Sequence, residues 1–194
     1  MKRAPDVVNR NKGVYADINL NGFHLTICPS EVCYPQMNTD KYKHLKAFIK
    51  EPVVLFDTTF GNTRSIANAI AQELGNGATA VETTAFDLRL LVNTSLIVVG
   101  SPIIAWKPSA RMELFLAGLK NNQLQGIKAA AFDTRVKLFI HGDAATKISI
   151  ALQTAGAEII TNPQSFYVRG KEGPLYMGEV EKAIQWAKLI KTKI

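Results

Sequence analysis

The sequence has no apolar run close to the ~20 residues that a membrane-spanning helix needs. Its most apolar segment, residues 95–104, is too short and contains a glycine and a proline. The basic N-terminus runs into polar sequence instead of the apolar core of a secretion signal. Two cysteines in 194 residues do not form a disulfide framework. We therefore expect a cytoplasmic protein that does not insert into a membrane.

A strongly charged arm is also absent. The formal net charge is +7, with eight Lys or Arg against four Asp or Glu in residues 1–50 and fifteen against twelve in the rest. Lys41, Lys43 and Lys46 stand beside Tyr42 and Phe48, a pattern that suits nucleic acid, but the solvated surface of a helix explains it much better. We expect no nucleic-acid binding. A dispersed positive charge favours partners with an acidic docking surface.

Several motifs of catalytic and nucleotide-binding proteins are missing. The sequence has no Gly-x-x-x-x-Gly-Lys loop, no Gly-x-Gly-x-x-Gly fingerprint and no Gly-x-Ser-x-Gly elbow. These absences argue against a nucleoside triphosphatase, a dinucleotide-binding protein and a hydrolase. The spacing of His24, Cys28, Cys33 and His44 matches no zinc pattern, so we expect no metal. Asp143 precedes a helical segment and is predicted to be its N-cap.

From residue 53 onward, short β-branched runs alternate with longer amphipathic segments. This alternation is typical of successive βα units that build a parallel sheet with helices on both faces. The predicted strands are 53–56, 78–83, 95–100, 127–132 and 158–168, the last interrupted around Asn162-Pro163. The predicted helices are 62–74, 86–91, 110–119, 143–154 and 178–191. The prediction is an α/β fold, a doubly wound sandwich with five parallel strands.

Residues 1–52 break this rhythm. They are rich in asparagine and hold one candidate strand at 23–27 and one candidate helix at 41–49. We interpret them as an N-terminal extension that packs on a core domain formed by residues 53–194.

The segment after the first predicted strand of the core is rich in hydroxyl and amide side chains and leads directly into a helix. It consists of Thr58, Thr59, Phe60, Gly61, Asn62 and Thr63. A helix that begins directly after a strand points unpaired N–H groups and the positive end of its dipole at one spot. The segment therefore predicts a phosphate-binding loop, whereas an ordinary helix cap accounts only for its last two residues.

This segment resembles the phosphate loop of flavodoxins, in which Ser/Thr-x-Thr-Gly-x-Thr encloses the phosphate of flavin mononucleotide (FMN). Phe60 departs from that pattern, because a threonine usually stands there and one hydroxyl donor is missing. The resemblance implies a flavodoxin-like three-layer sandwich with strand order 2-1-3-4-5. In such a sheet the cofactor lies at the carboxyl ends of the strands, where the winding direction reverses.

Two further loops carry the resemblance. The loop after the third strand is similar to the flavodoxin loop that lies against the flavin ring, and Trp106 in it either stacks on the ring or packs elsewhere. The contacts that it implies come from Ser101, Pro102, Ile103, Ile104, Ala105 and Trp106.

The loop after the fourth strand lacks the usual glycines, but its Ala-Phe-Asp-Thr-Arg matches long-chain members of the family, as do residues 166–170, 172–175 and 185–187. In this loop Asp133 or the Thr134 backbone would touch the pyrimidine edge of the flavin. Arg135 is either a contact or a surface charge.

The resemblance implies an FMN-binding protein that carries electrons between a reductase and an acceptor protein, with the cofactor supplying the redox chemistry. Two alternatives stay open: an NAD(P)H-dependent FMN or quinone reductase on the same fold, and a flavodoxin-like interaction module without flavin. We assign no catalytic residue. A basic surround stabilises the anionic reduced flavin, so we expect a less negative reduction potential than acidic flavodoxins show.

Overall fold

The computed structural model describes residues 16–20, 23–27, 50–138 and 142–194. The chain divides into two units, Met1–Lys46 and Ala47–Ile194. In the first unit, strands β1 (Ala16–Leu20) and β2 (Phe23–Ile27) pair antiparallel, which confirms the predicted strand at 23–27. The predicted helix at 41–49 lies outside the described residues, and the packing of the extension on the core stays a prediction.

The second unit alternates strands and helices. Its strands are β3 (Glu51–Phe56), β4 (Thr79–Glu82), β5 (Thr94–Ile104), β6 (Lys107–Pro108), β7 (Lys128–Val136), β8 (Glu158–Ile159) and β9 (Gln164–Val168). Its helices are α1 (Asn62–Leu74), α2 (Ala110–Gly118), α3 (Ala144–Thr154), α4 (Glu179–Lys191) and a 3₁₀ helix at Leu88–Asn93. In the described ranges, no helix is both long and apolar enough to cross a membrane.

The sheet is parallel and runs in the order β4-β3-β5-β7, with β8 and β9 both beside β7. Both β8 and β9 belong to the predicted fifth strand. That strand is interrupted because Pro163 has no N–H to donate to a ladder hydrogen bond. The arrangement confirms the predicted order 2-1-3-4-5. The short β6 runs antiparallel to the end of β5.

The core lies on both faces of this sheet, because successive side chains of a strand point to opposite faces. Val54 and Phe56 of β3 pack in one cluster with the buried side chains of α1 and α4. Leu55, between them, packs in a second cluster with Met112 of α2 and Ile148 of α3. The same alternation in β5 and β7 completes three layers, as predicted.

Three predicted boundaries were wrong. The residues at 101–104 and 133–135 extend β5 and β7 instead of forming loops, with Ser101 beside Asp133 in the ladder. Their polar side chains favoured loops in the sequence, but the fold buries both of them and gives them partners: the Ser101 hydroxyl accepts the Ser109 N–H at 2.9 Å. The helix predicted at 86–91 is instead the 3₁₀ helix at Leu88–Asn93.

Candidate functional site

A cleft of about 390 Å³ opens at the carboxyl edge of the sheet, where β3, β5, β7 and β9 end. Its volume lies within the ~300–1,000 Å³ of small-molecule sites. The predicted residues that line it are Thr58, Thr59, Phe60, Asn62, Thr63, Pro102, Ile103, Ile104, Ala105, Thr134 and Arg135. Val136, Val168 and Lys171 also line it and were not predicted from the sequence. Four predicted residues lie outside the lining: Gly61, Ser101, Trp106 and Asp133.

One end of the cleft is formed by the loop that leads into α1. Gly61 is the N-cap of this helix and has a left-handed φ of 85°, which favours glycine. Its N–H donates to the Thr58 hydroxyl at 3.0 Å. The first N–H groups of a helix have no acceptor within it, and the first turn of α1 contains no acidic side chain. This end of the cleft therefore attracts an anion.

Two contacts fix this loop from either side. On the inner side, the buried hydroxyls of Thr63 and Thr134 lie 2.8 Å apart and join the start of α1 to the end of β7. On the outer side, Arg111 of α2 donates from Nε to Asp57 Oδ1 at 2.9 Å and from Nη2 to the Thr58 carbonyl oxygen at 3.2 Å. Asp57 is only 2% exposed. The loop is thus preorganised by the elements around it.

The second wall is the end of β5 and the tight hairpin that it forms with β6. Ile104 pairs with Lys107, so the turn consists of Ala105 and Trp106, and both have a positive φ, 46° and 71°. Residues other than glycine rarely have a positive φ, and backbone strain of this kind clusters at functional sites. The Lys147 ammonium donates to the Trp106 carbonyl oxygen at 3.2 Å. The Trp106 side chain is 55% exposed at the hairpin tip.

The third wall contains a buried ion-pair network at the start of α3. Arg135 donates to both carboxylate oxygens of Asp133, and one of these oxygens also accepts the Ala145 N–H at 2.9 Å. The Asp133 side chain is therefore engaged within the protein, and Arg135, only 6% exposed, is not the surface charge considered from the sequence. Asp143 is the N-cap of α3, as predicted, and accepts the Thr146 N–H at 3.0 Å.

This network shifts two pKa values. Burial by itself lowers the pKa of the Arg135 guanidinium, but the hydrogen bond and charge of Asp133, with the charge of Asp143, raise it above its ordinary value. Burial by itself raises the pKa of Asp143, but hydrogen bonds from Thr146 and the charge of Arg135 lower it below its ordinary value. Arg135 and Asp143 are therefore both charged at neutral pH.

The fourth contributor, Lys171, lies in the segment between β9 and α4. The sequence offered one signal for it, a lysine in a Gly-Lys-Glu-Gly stretch after a strand that ends at the same edge of the sheet. Val136 and Val168 gave no signal, because they are ordinary strand residues whose positions at the carboxyl ends only the register shows.

These features fit the two halves of FMN. The loop before α1 offers backbone N–H groups and hydroxyls to a phosphate, and Lys171 adds a positive charge. Apolar side chains suited to a flat ring line the rest of the cleft: Pro102, Ile103, Ile104, Ala105, Val136 and Val168. No Asp or Glu belongs to the described lining, so nothing there repels a phosphate.

In the part of the chain that the structure describes, no group of three or more His, Cys, Asp or Glu could hold a metal ion. Cys28, Cys33, His44 and His141 lie outside the described residues.

Comparisons with known proteins agree with this architecture. The flavodoxin family model matches residues 54–186. Flavodoxin 2 of Bacillus cereus is 24% identical, with 74% of this chain and 99% of that one covered at a TM-score of 0.64. Flavodoxin 1 of the same organism is 18% identical with the same coverage and TM-score, and a flavodoxin from the domain Archaea is 20% identical over 74% and 97% at 0.62.

These structural likenesses show the fold, and no curated protein sequence matches the chain. The family match covers well over half of the chain and includes every residue that lines the cleft. The chain belongs to the flavodoxin family, whose members bind a flavin and transfer electrons to partner proteins.

Proposed function

We propose that this protein binds FMN in the cleft at the carboxyl edge of the sheet and carries electrons between a reductase and an acceptor protein. One observation carries this proposal. A helix N-terminus rich in hydrogen-bond donors and a wall of apolar side chains line the same cleft of about 390 Å³. When bound, FMN supplies the redox chemistry, and the protein supplies orientation and electrostatics.

The residues divide between the two ends of the cofactor. The phosphate end comprises Thr58, Thr59, Phe60, Gly61, Asn62 and Thr63, and Phe60 replaces a hydroxyl donor with an exposed ring. The ring end comprises the wall from Pro102 to Ala105, with Trp106 at the hairpin tip beside it. Thr134 and Arg135, at the end of β7, also line the cleft.

The rim of the cleft supports a protein partner with acidic docking groups. Phe60, Ile104 and Trp106 expose large apolar surfaces there. The exposed Lys147, whose ammonium donates to the Trp106 carbonyl oxygen, places a positive charge beside this rim. Apolar groups bordered by positive charge suit an acidic surface, because complementary charge steers encounter and orients the partner.

Titration of the flavin-free protein with FMN, followed by flavin fluorescence, tests the proposal. We expect binding with a dissociation constant in the micromolar range or tighter. Thr59→Glu places a negative charge at the phosphate end and should weaken binding at least tenfold, or ~1.4 kcal/mol. Gln125→Glu makes a matched charge change at an exposed site before β7, at the opposite edge of the sheet, and should leave the affinity unchanged.

Failure to bind FMN at micromolar concentration would overturn the proposal and leave the interaction module as the better interpretation. Steady-state oxidation of NAD(P)H in the presence of a quinone would contradict the carrier function and favour the reductase. A carrier is instead expected to hold flavin and to show no such turnover without a separate reductase.

A further inference from the structure

The segment between β9 and α4 forms a loop whose two ends lie side by side, and we call it the 169–175 loop. Its ends are held together by a bridge between Val168 and Leu175. The Arg169 N–H donates to the Pro174 carbonyl oxygen at 2.7 Å, and the Tyr176 N–H donates to the Tyr167 carbonyl oxygen at 3.0 Å. The tip of the loop therefore has a defined position relative to the sheet.

That tip rests on the start of α1. The side-chain amide of Asn62 donates to the Glu172 carbonyl oxygen at 2.9 Å, although the two residues are 110 positions apart. Gly173 has a φ of 105°, and a methyl group there would lie 2.6 Å from the Asn62 amide atoms. Only glycine permits this close approach. Asn62, the first residue of α1, thus joins the 169–175 loop to the phosphate end of the cleft.

Lys171 stands next to this contact and lines the cleft with the residues of the phosphate end. Its side chain has no ion pair or hydrogen bond with any residue in the described ranges. Arg135, the other cation of the lining, is neutralised by Asp133 and Asp143. Lys171 is therefore the uncompensated positive charge of the described lining.

A phosphate monoester carries close to two negative charges at neutral pH and is stabilised by a nearby ammonium group, which adds to the potential of a helix N-terminus. The phosphate loop of this chain lacks one hydroxyl donor, because Phe60 stands in the third position. We propose that Lys171 is a specificity-determining residue that contacts the terminal phosphate of FMN from the 169–175 loop and replaces the missing neutral donor by charge. This inference rests on the proposed binding of FMN.

The inference makes phosphate recognition sensitive to charge in a way that ring recognition is not. Removing the ammonium should weaken binding of FMN but not of riboflavin, which has the same ring and no phosphate. It should also reduce the dependence of FMN affinity on salt, because screening acts on the charge pair that the substitution removes.

Dissociation constants for FMN and riboflavin, measured by fluorescence at 20 mM and 500 mM NaCl, test the inference. For Lys171→Met we expect FMN binding at low salt to weaken about tenfold or more, with riboflavin unchanged and the salt dependence reduced. Lys171→Arg should retain most of the FMN affinity. Lys188→Met, at an exposed position of α4, is the matched control and should behave as the unaltered protein. Urea unfolding verifies that all variants are folded.

Equal weakening of FMN and riboflavin in Lys171→Met, or no change in either, would overturn the inference while the proposed function stands. An unaltered protein that binds no FMN overturns both. If the FMN affinity is unchanged but an acidic redox partner binds more weakly, then Lys171 belongs to the docking rim and does not contact the phosphate.

Discussion

The backbone of the sheet lies directly against the aromatic core at Gly100. A methyl group on Gly100 would lie 2.0–2.4 Å from three atoms of the Phe132 ring. That ring is fully buried and makes edge contacts with Phe166 and Trp186, so it has no space to move. We expect Gly100→Ala to lower the free energy of unfolding by about 1–3 kcal/mol through overpacking, measured by urea denaturation.

Gly118 provides the matched control for this substitution. It ends α2, and a methyl group there meets nothing within 4 Å. Alanine has a higher helix propensity than glycine, so Gly118→Ala should leave the stability unchanged or raise it by up to about 1 kcal/mol. Equal losses in the two variants would mean that the close approach to Phe132 is not the cause.

The loop that we propose to bind the phosphate could be predicted from sequence as part of a site because its chemistry is local. A run of hydroxyl side chains, a glycine and a helix start stand together within six positions, and the fold only has to bring a strand before them. Lys171 could not be predicted in this way. Its only local signal is a lysine in a Gly-Lys-Glu-Gly stretch after a strand, and the contact between the Glu172 carbonyl oxygen and Asn62, which helps to place its loop at the cleft, joins distant parts of the chain.

At the scale of elements, the strands and helices of the core were predictable because short apolar runs alternate with amphipathic segments, whereas the strand order was implied by the resemblance to flavodoxins. The ends of the strands were harder to predict from the sequence. Ser101 and Asp133 are polar and stand beside helix-forming segments, which is typical of loops, but the fold satisfies them with the Ser109 and Ala145 N–H groups. Burial of a polar residue depends on such partners, and these come from other elements.

Helix α2 is tied to the phosphate end of the cleft through Arg111. This side chain holds both the buried carboxylate of Asp57 and the Thr58 carbonyl oxygen. Arg111→Met leaves Asp57 without its counter-charge, so we expect a loss of about 1–3 kcal/mol in stability. We also expect weaker FMN binding, because the loop loses its outer support. Urea denaturation and FMN titration measure the two effects.

The double variant Asp57→Asn, Arg111→Met separates the effect of Arg111 on stability from its effect on FMN binding. The neutral amide removes the buried unpaired charge, so much of the stability should return, whereas the Thr58 carbonyl oxygen stays without its donor and FMN binding should remain weak. Full recovery of FMN affinity in the double variant would show that Arg111 acts on stability alone and does not position the loop.

At the scale of the whole molecule, the sign of the surrounding charge is the property most relevant to a bound flavin. The chain carries a net charge of +7, and residues 51–194 hold fifteen basic against twelve acidic side chains. In the described lining of the cleft, Lys171 is a positive charge without an ion pair, whereas Arg135 is paired with Asp133 and Asp143. Positive potential at a cleft stabilises negative charge that develops inside it.

Because reduction gives the flavin negative charge, this potential should make the lowest-potential one-electron couple of bound FMN less negative than in an acidic flavodoxin.

The salt dependence of this couple tests the sign of the electrostatic potential at the cleft within one protein. Screening weakens the stabilisation of the reduced form, so raising NaCl from 20 to 500 mM should shift the couple to more negative values. A shift of a few tens of millivolts corresponds to a several-fold change in the equilibrium, given ~59 mV per tenfold for one electron. Redox titration of the FMN complex against free FMN in the same buffers measures it, and a shift to less negative values would show that the field at the cleft is negative despite the net charge.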